Sequence, residues 1–527
     1  MFKRLAAIGA ALTVLAAGAT AVRAEDPAPV SADVTRTATG VVVRYRLPAP
    51  VQRFAFADHD VIRDLWTVTT PGLALADGVV SGAQPFETFE IELKPDAAEV
   101  DRIYAGLSRV NQGFLVYGPG LKGEGADTTL TFAAAHGETG LPEVSAIDGY
   151  AYVGPSSQVV ADERGAMVAG ANVSTDLADP LRASFFGSMA FYQAQLGAAL
   201  PFKPALVASI DGPGPATFRG DVTDTGVISV RFRGDDAWRG ATADVVPFVW
   251  HETFHLWNGH GVETLDGEAS PWLHEGGAEY ASFVGAVSTG GLTEDEGRAR
   301  LSRRVDGCRR LLGNKAFDPA ALRSGSGPYN CGTLIQWIVD LEARKAGRGT
   351  AFTVWKDLLD VARTGSGGYG VTQFRTRIGA DSAVAVLLDG PGETRWDTLK
   401  TRLADLGVTI ENRPGNNDLM AAALLHVAAR NCESGSYGFF NDPGALKLDG
   451  DNCGVLSRQP LIATVEGFDP QTDGRATFDA VQARCAETLP IRYQTRDGRT
   501  IEAVCDAPLA TPVVWWIAAA PPLAIPG

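Results

Sequence analysis

Two periodicities alternate along the chain, and the change between them divides it. Between residues 30 and 165 lie short runs that are β-branched or alternate apolar with polar positions (40–47, 86–93, 113–117 and 128–132), separated by Pro, Gly and Asp clusters. Alternation at period two with turn residues between runs predicts strands, and hence a β-sandwich-like or saddle-shaped domain over 25–165. Near Leu181 the spacing becomes helical: Phe185, Phe186, Met189, Tyr192 and Leu196 predict a helix that ends before Pro201. Residues 205–210 then read as a continuous apolar strand and 227–232 as a second strand. A helix is expected from Asp244, as N-cap, to just before Gly259, with Pro247 tolerated in its first turn. Thr293-Glu294-Asp295-Glu296 has the form of a capping box and predicts a helix running to Leu312. After a Gly/Ser-rich break, a long apolar helix opens at Pro328-Tyr329, and helices continue through 351–410. The last stretch returns to short strands, with a helix over 478–485 and a hairpin over 491–504 that turns at Asp497-Gly498.

The pattern is that of an α+β multidomain chain. Its expected units are 25–165, a mixed domain over 166–425 and a small β-rich domain over 430–515. At 527 residues the chain is too long for one core, and about two to four domains follow from length alone. Residues 1–24 read as a secretory signal: Lys3 and Arg4, an apolar run, then Val22-Arg23-Ala24 as a cleavage site. Cleavage there leaves 43 basic residues against 62 acidic ones, a net charge of −19. Such a charge argues against nucleic acid or an anionic membrane as partner. No other segment has the length to span a bilayer; 513–525 is apolar but short and broken by prolines. All six cysteines (308, 331, 432, 453, 485 and 505) lie in the C-terminal half. An even count in an exported chain favours disulfides. Fifteen pairings are open; sequential pairs would each close a local loop. A periplasmic or secreted protein is expected.

Chemistry concentrates in Trp250-His251-Glu252-Thr253-Phe254-His255-Leu256-Trp257-Asn258. On a helix, residues four apart share a face, so His251 and His255 can offer both imidazoles to one ion. Glu252 reaches a water on that ion but not the ion itself, an arrangement suited to a zinc-activated water with a carboxylate base beside it. The competing reading is a chance match on an exposed helix. The flanks are apolar and aromatic, however, so the helix is expected to be buried, and a buried helix does not carry two histidines and a glutamate without partners. A working zinc needs a third protein ligand. Glu275 is the candidate, separated from His255 by nineteen residues, in Trp272-Leu273-His274-Glu275-Gly276-Gly277-Ala278-Glu279-Tyr280. Glu279, one turn on, is placed to accept a hydrogen bond from the far nitrogen of a ligating histidine.

His-Glu-x-x-His-x-Trp-Asn followed by Trp-Leu-x-Glu-Gly-x-x-x-Tyr resembles the gluzincin metallopeptidases, and within them the glycyl aminopeptidase family. That resemblance implies a β-rich N-terminal domain, a thermolysin-like catalytic domain and a PDZ domain, in that order. It implies His251, His255 and Glu275 as ligands of one zinc ion, Glu252 as general base and a peptide or protein as substrate. Pro328-Tyr329-Asn330-Cys331-Gly332 looks like the family's Tyr-x-x-Gly helix start, whose tyrosine donates to the oxyanion; this carries to Tyr329. A Cys308–Cys331 bridge would tether that segment. Residues 436–440 resemble a PDZ carboxylate loop. The run 227–232 stands where gluzincins place the sheet-edge strand that pairs with substrate. One departure is clear: relatives that act as aminopeptidases carry a glutamate at a Gly-x-Met-Glu-Asn-like stretch to bind the substrate's amine, whereas this chain has Gly220-Asp221-Val222-Thr223-Asp224-Thr225-Gly226. Asp221 or Asp224 would have to substitute, or serve only as turn residues. Aminopeptidase and endopeptidase therefore both stay open. So do a catalytically inactive peptide-binding protein and a zinc hydrolase of non-peptide amides or esters.

Overall fold

The computed structural model describes residues 28–525, apart from 59, 97–104, 144–146, 148, 198, 211–216, 223–225, 235–241, 260–261, 266–270, 319–324, 366–367, 434–436, 443, 451 and 458–459. The leader expected over 1–24 lies outside the described residues.

The alternating N-terminal runs form two sheets with one core between them. The larger takes the strands Trp66–Val68, Val79–Leu93, Val41–Ala55, Ala28–Arg36 and Ala126–Phe132 in that order, with Leu73–Ala76 also paired to Val79–Leu93. The smaller orders Leu107–Val110, Gly113–Tyr117, Tyr150–Pro155 and Glu138–Leu141. Val43, Tyr45, Phe89 and Ile91 of the first sheet bury against Phe114, Val116 and Val153 of the second. The opposite face of the small sheet is buried too. Leu115, Tyr150 and Tyr152 pack on Val168 and Val207 of the next unit, which explains why Gly113–Tyr117 reads as a continuous apolar run.

That next unit is built on a five-stranded sheet in the order Val160–Ala161, Ala166–Ala169, Ala205–Ile210, Val227–Arg233, Thr217–Val222. Ala166–Ala169, Ala205–Ile210 and Val227–Arg233 run parallel, and Thr217–Val222 lies antiparallel at the edge. Val227–Arg233 is therefore an interior strand with both sides paired, and the edge position expected for it belongs to Thr217–Val222. Helices α1 (Thr175–Leu196), α2 (Thr242–Asn258), α3 (Pro271–Ser288), α4 (Glu294–Leu312) and α5 (Gly327–Lys345) share one large core with this sheet. The capping box at the start of α4 forms as expected, with Thr293 N–H donating to Glu296 Oε2 at 2.8 Å and Glu296 N–H to Thr293 Oγ1 at 3.2 Å. α2 begins at Thr242, so Asp244 lies inside its first turn rather than at its cap.

Where α3 crosses α5, glycine faces glycine. A Cβ on Gly276 would lie 2.2 Å from Gly332 Cα, and one on Gly332 would lie 2.1 Å from the Trp272 carbonyl oxygen. Only hydrogen side chains permit that approach. It sets the start of α5, and with it Tyr329, beside the carboxylates of α3. Cys308–Cys331 joins α4 to α5.

The C-terminal unit has its own core. Five antiparallel strands (Gly438–Asp442, Ala445–Asp449, Leu461–Val465, Ile491–Thr495, Thr500–Ala503) carry the helices Asn416–Asn431 and Gly474–Ala486, with disulfides Cys432–Cys453 and Cys485–Cys505. The chain then returns. Trp515–Ala519 pairs with Thr409–Asn412 and lies along α4, where Trp515 N–H donates to Asp306 and Ile517 N–H to Ser302. The apolar run 513–525 is thus a strap on the unit that contains α4. No helix among the described residues is long and apolar enough to cross a membrane.

Candidate metal centre and active site

α2 has an inner side fixed by packing. Val245, Val249, Trp250, Phe254 and Trp257 are all in the core, and the Tyr192 hydroxyl donates to the Trp250 carbonyl at 3.0 Å. With that side buried, the 3.6-residue period turns Pro247, Phe248, His251 and Glu252 toward a pocket. α3 supplies Glu275 from across it.

The three atoms expected to share an ion converge. His251 Nε2 lies 3.1 Å from His255 Nε2 and 3.1 Å from Glu275 Oε2, and His255 Nε2 lies 3.4 Å from Glu275 Oε2. Ligands about 2.0–2.1 Å from a tetrahedral ion stand roughly 3.3 Å apart, so this triangle has the edge lengths of three tetrahedral vertices.

The outer nitrogens are held as a ligand pair needs. His251 Nδ1–H donates to Glu279 Oε2 at 3.1 Å, and His255 Nδ1–H to Asn258 Oδ1 at 3.0 Å. Each bond leaves the Nε2 lone pair facing the common point. Glu279 is in turn fixed by Arg304, Nε to Oε1 at 2.8 Å, and Arg304 Nη1 donates to Asn330 Oδ1 at 3.2 Å. Asn258 Nδ2 donates to the His274 carbonyl at 3.1 Å. The His274 ring stacks on His255, centroids 4.4 Å apart. Its Nδ1 is 2.8 Å from the Tyr369 hydroxyl, which donates to the Asn258 carbonyl at 2.9 Å. Since that hydroxyl has one proton, His274 Nδ1–H must be the donor to it.

Charge at the centre is in carboxylate excess. Burial opposes a proton on His251, but hydrogen bonds to Glu275 and Glu279 and the charge of Glu252 outweigh it and lift that ring to about 10. Glu275 is desolvated, yet its bonds to His251 and His255 hold it far below the carboxylate range. A divalent cation matches this demand for positive charge better than a shared proton does. Burial, and then the neighbouring charge of His255, pushes His274 down to about 3, so it stays neutral. Burial, and then Glu275, Glu252 and Glu279, pushes the Tyr329 phenol well above its usual value, so it remains an O–H donor. Its ring centroid is 5.7 Å from that of His251. Glu252 lines the pocket, half-buried.

His251, Glu252, His255, Glu275, Glu279 and Tyr329 thus lie within one cluster, whereas Asp224 and the side chain of Asp221 lie outside the described residues. Sequence reasoning assigned no part to Asn258, Arg304, Asn330 or Tyr369. Asn258 had a usable signal, standing three residues after His255 on the same helix face. Arg304 and Tyr369 had none, because α4 and a short parallel pairing of Glu263–Thr264 with Gly368–Tyr369 bring them in.

No family model matches the sequence, and no curated protein matches it. Solved structures do. The crystal structure of an aminopeptidase N family protein from Idiomarina loihiensis superposes with a TM-score of 0.58 over 94% of this chain and 98% of that one, at 14% identity. The chain therefore shares that protein's fold across nearly its whole length. Legionella pneumophila aminopeptidase A in complex with aspartic acid aligns over 74% of this chain and 51% of its own, at 13% identity and a TM-score of 0.39.

Proposed function

We propose that this protein is a zinc-dependent peptidase of the gluzincin type, related to the glycyl aminopeptidases, acting on peptides outside the cytoplasm. The observation that carries the reading is the His251–His255–Glu275 triangle, with edges of 3.1, 3.1 and 3.4 Å, set beside Glu252 and Tyr329. The fold shared with an aminopeptidase N family protein supports it.

The donor set of two imidazoles and one carboxylate would hold a catalytic zinc, which takes three protein ligands. When bound there, zinc supplies Lewis acidity toward water and toward the scissile carbonyl. The chain's own residues divide the remaining work. Glu252 accepts a proton from the attacking water and returns it to the departing nitrogen, so that an amine rather than an amide anion leaves. Tyr329 donates its O–H to the carbonyl oxygen as that atom gains negative charge, a bond that strengthens only toward the transition state. Glu279, fixed by Arg304, and Asn258 hold the two imidazoles in the required tautomer and orientation.

The complete ligand-and-base set argues against an inactive binding protein, which has no need for Glu252. The pocket's acids, among the described residues, are Asp244, Glu252 and Glu279, none on the edge strand where related aminopeptidases hold the substrate's amine. The C-terminal unit is read as a PDZ-like module whose edge strand Gly438–Asp442 offers backbone groups to a peptide. Three disulfides that take up all six cysteines support an oxidising compartment, periplasmic or extracellular.

The test is a peptide library with free and blocked N-termini, digested with and without chelator by the wild type and by Glu252→Gln. Cleavage that chelator abolishes and Glu252→Gln lacks while retaining zinc is expected. Substantial cleavage by Glu252→Gln would remove the assignment. Cleavage of free-amine peptides alone would make the protein an aminopeptidase.

A further inference from the structure

Tyr329 sits in the first turn of α5, where a helix has the fewest hydrogen bonds of its own. Ser326, at the N-cap, makes no side-chain cap hydrogen bond, so the turn is fixed from elsewhere. The next residue supplies the hold. Asn330 is 8% exposed, and α4 grips it at two points. Its Oδ1 accepts from Arg304 Nη1 at 3.2 Å. Its amide lies against Gly307, where a Cβ would come within 2.5 Å of Asn330 Nδ2 and 2.8 Å of its Cγ. The glycine three residues after Arg304 thus leaves the room that the amide fills. Cys308–Cys331 adds a covalent tie one residue further along both helices. That bridge limits how far the helices part, and the planar guanidinium adds direction.

The same guanidinium serves both halves of the site. Arg304 Nε donates to Glu279 Oε1 at 2.8 Å, and Glu279 accepts from His251. Arg304 Cζ lies 5.9 Å from the centroid of the Tyr329 ring, within reach of a cation–π contact. Arg304 and Tyr329 line the pocket, and Asn330 is not among its lining residues. Asn330 therefore acts through its neighbours and not on a substrate.

We propose that Asn330 is the positioning residue for Tyr329: by tying the first turn of α5 to Arg304, it holds the phenol at a fixed distance from His251 and the metal centre. The inference deepens the peptidase reading and rests on it.

The test is a double-mutant cycle on the full-length, zinc-loaded protein. Wild type, Asn330→Ala, Tyr329→Phe and the double variant are compared in kcat, KM and zinc Kd. Asn330→Ala should lower kcat by about tenfold and leave KM and zinc Kd within about threefold of wild type. In the Tyr329→Phe background, where no hydroxyl is left to aim, the same change should cost about twofold or less. Losses of equal size in both backgrounds would reveal a general structural role and overturn the proposal. So would wild-type kcat in folded Asn330→Ala, or a loss of zinc that accounts for the lost activity. Crystal structures of zinc-loaded wild type and Asn330→Ala read the placement directly: the Tyr329 hydroxyl should move by about 1 Å or more. An unmoved hydroxyl overturns the proposal. If Asn330→Ala does not fold, Gly307→Ala, which displaces the same amide from the α4 side, replaces it in every measurement. If the wild type cleaves no peptide, the peptidase reading fails, and the two crystal structures alone decide whether Asn330 places Tyr329.

Discussion

A phenol among three carboxylates keeps its proton, and that fixes what Tyr329 can do. With the ring partly buried and Glu275, Glu252 and Glu279 nearby, its hydroxyl can donate to the oxyanion of the proposed reaction and cannot act as a base. Tyr329→Phe should therefore lower kcat by about a hundredfold or more and leave KM within a few-fold of wild type. A KM rise with kcat intact would show that the hydroxyl only binds substrate. At this scale much of the site was legible. His251, Glu252 and His255 follow from helical period alone, and Glu275 and Glu279 repeat the same spacing four residues apart on α3. Their partners were not. Arg304, which holds Glu279 at 2.8 Å, sits among other arginines of a strongly charged helix, and nothing in its local sequence separates it from them. His274 stacks on His255 and reaches Tyr369 at 2.8 Å, a contact made by residues 95 apart in the chain.

Three helices bring the chemistry together, and the crossing of two of them, α3 and α5, depends on atoms that are absent. Gly276 and Gly332 let α3 and α5 touch backbone to backbone, which accounts physically for a glycine directly after Glu275 and another three residues after Tyr329. Gly332→Ala would force a Cβ to within 2.1 Å of the Trp272 carbonyl. The expected result is a loss of about 1–3 kcal/mol in unfolding free energy, together with a fall in activity as Tyr329 is carried outward. A variant unchanged in both melting temperature and kcat would contradict this account of the crossing. The element least readable from sequence was the sheet edge. Val227–Arg233 reads as a partly alternating strand and the resemblance puts the sheet edge there, but it pairs on both sides. Register and strand order depend on partners distant in sequence, so the edge strand, Thr217–Val222, carries no local mark of its position. Turn and cap chemistry was more direct: Thr293 and Glu296 specify the start of α4 by themselves.

For the molecule as a whole, the chain doubles back. The strand Trp515–Ala519 closes the C-terminal unit onto the unit that holds the candidate site, along α4, and Arg344 donates to the carbonyls of Pro522, Leu523 and Ala524 beyond it. Stability should share a signature across these units. Tyr45, Tyr192, Tyr280, Tyr369 and Tyr493 are each pushed above their ordinary value of 10.0, chiefly by burial. A phenol whose folded pKa is raised contributes stability that is fully present below pH 10 and is lost as pH rises beyond it, because the unfolded chain ionises first. The urea midpoint should hold steady from pH 8 to about 10 and fall above that, in step with phenolate absorbance; a flat midpoint to pH 11 would contradict the burial of these rings. The account as a whole turns on one ion per chain. Anomalous diffraction at the zinc absorption edge, on crystals of the zinc-loaded protein, should show a single strong peak about 2.0–2.2 Å from His251 Nε2, His255 Nε2 and a Glu275 carboxylate oxygen. A peak elsewhere, or none in protein shown to be folded, would leave the three side chains without the ion on which the proposed chemistry depends.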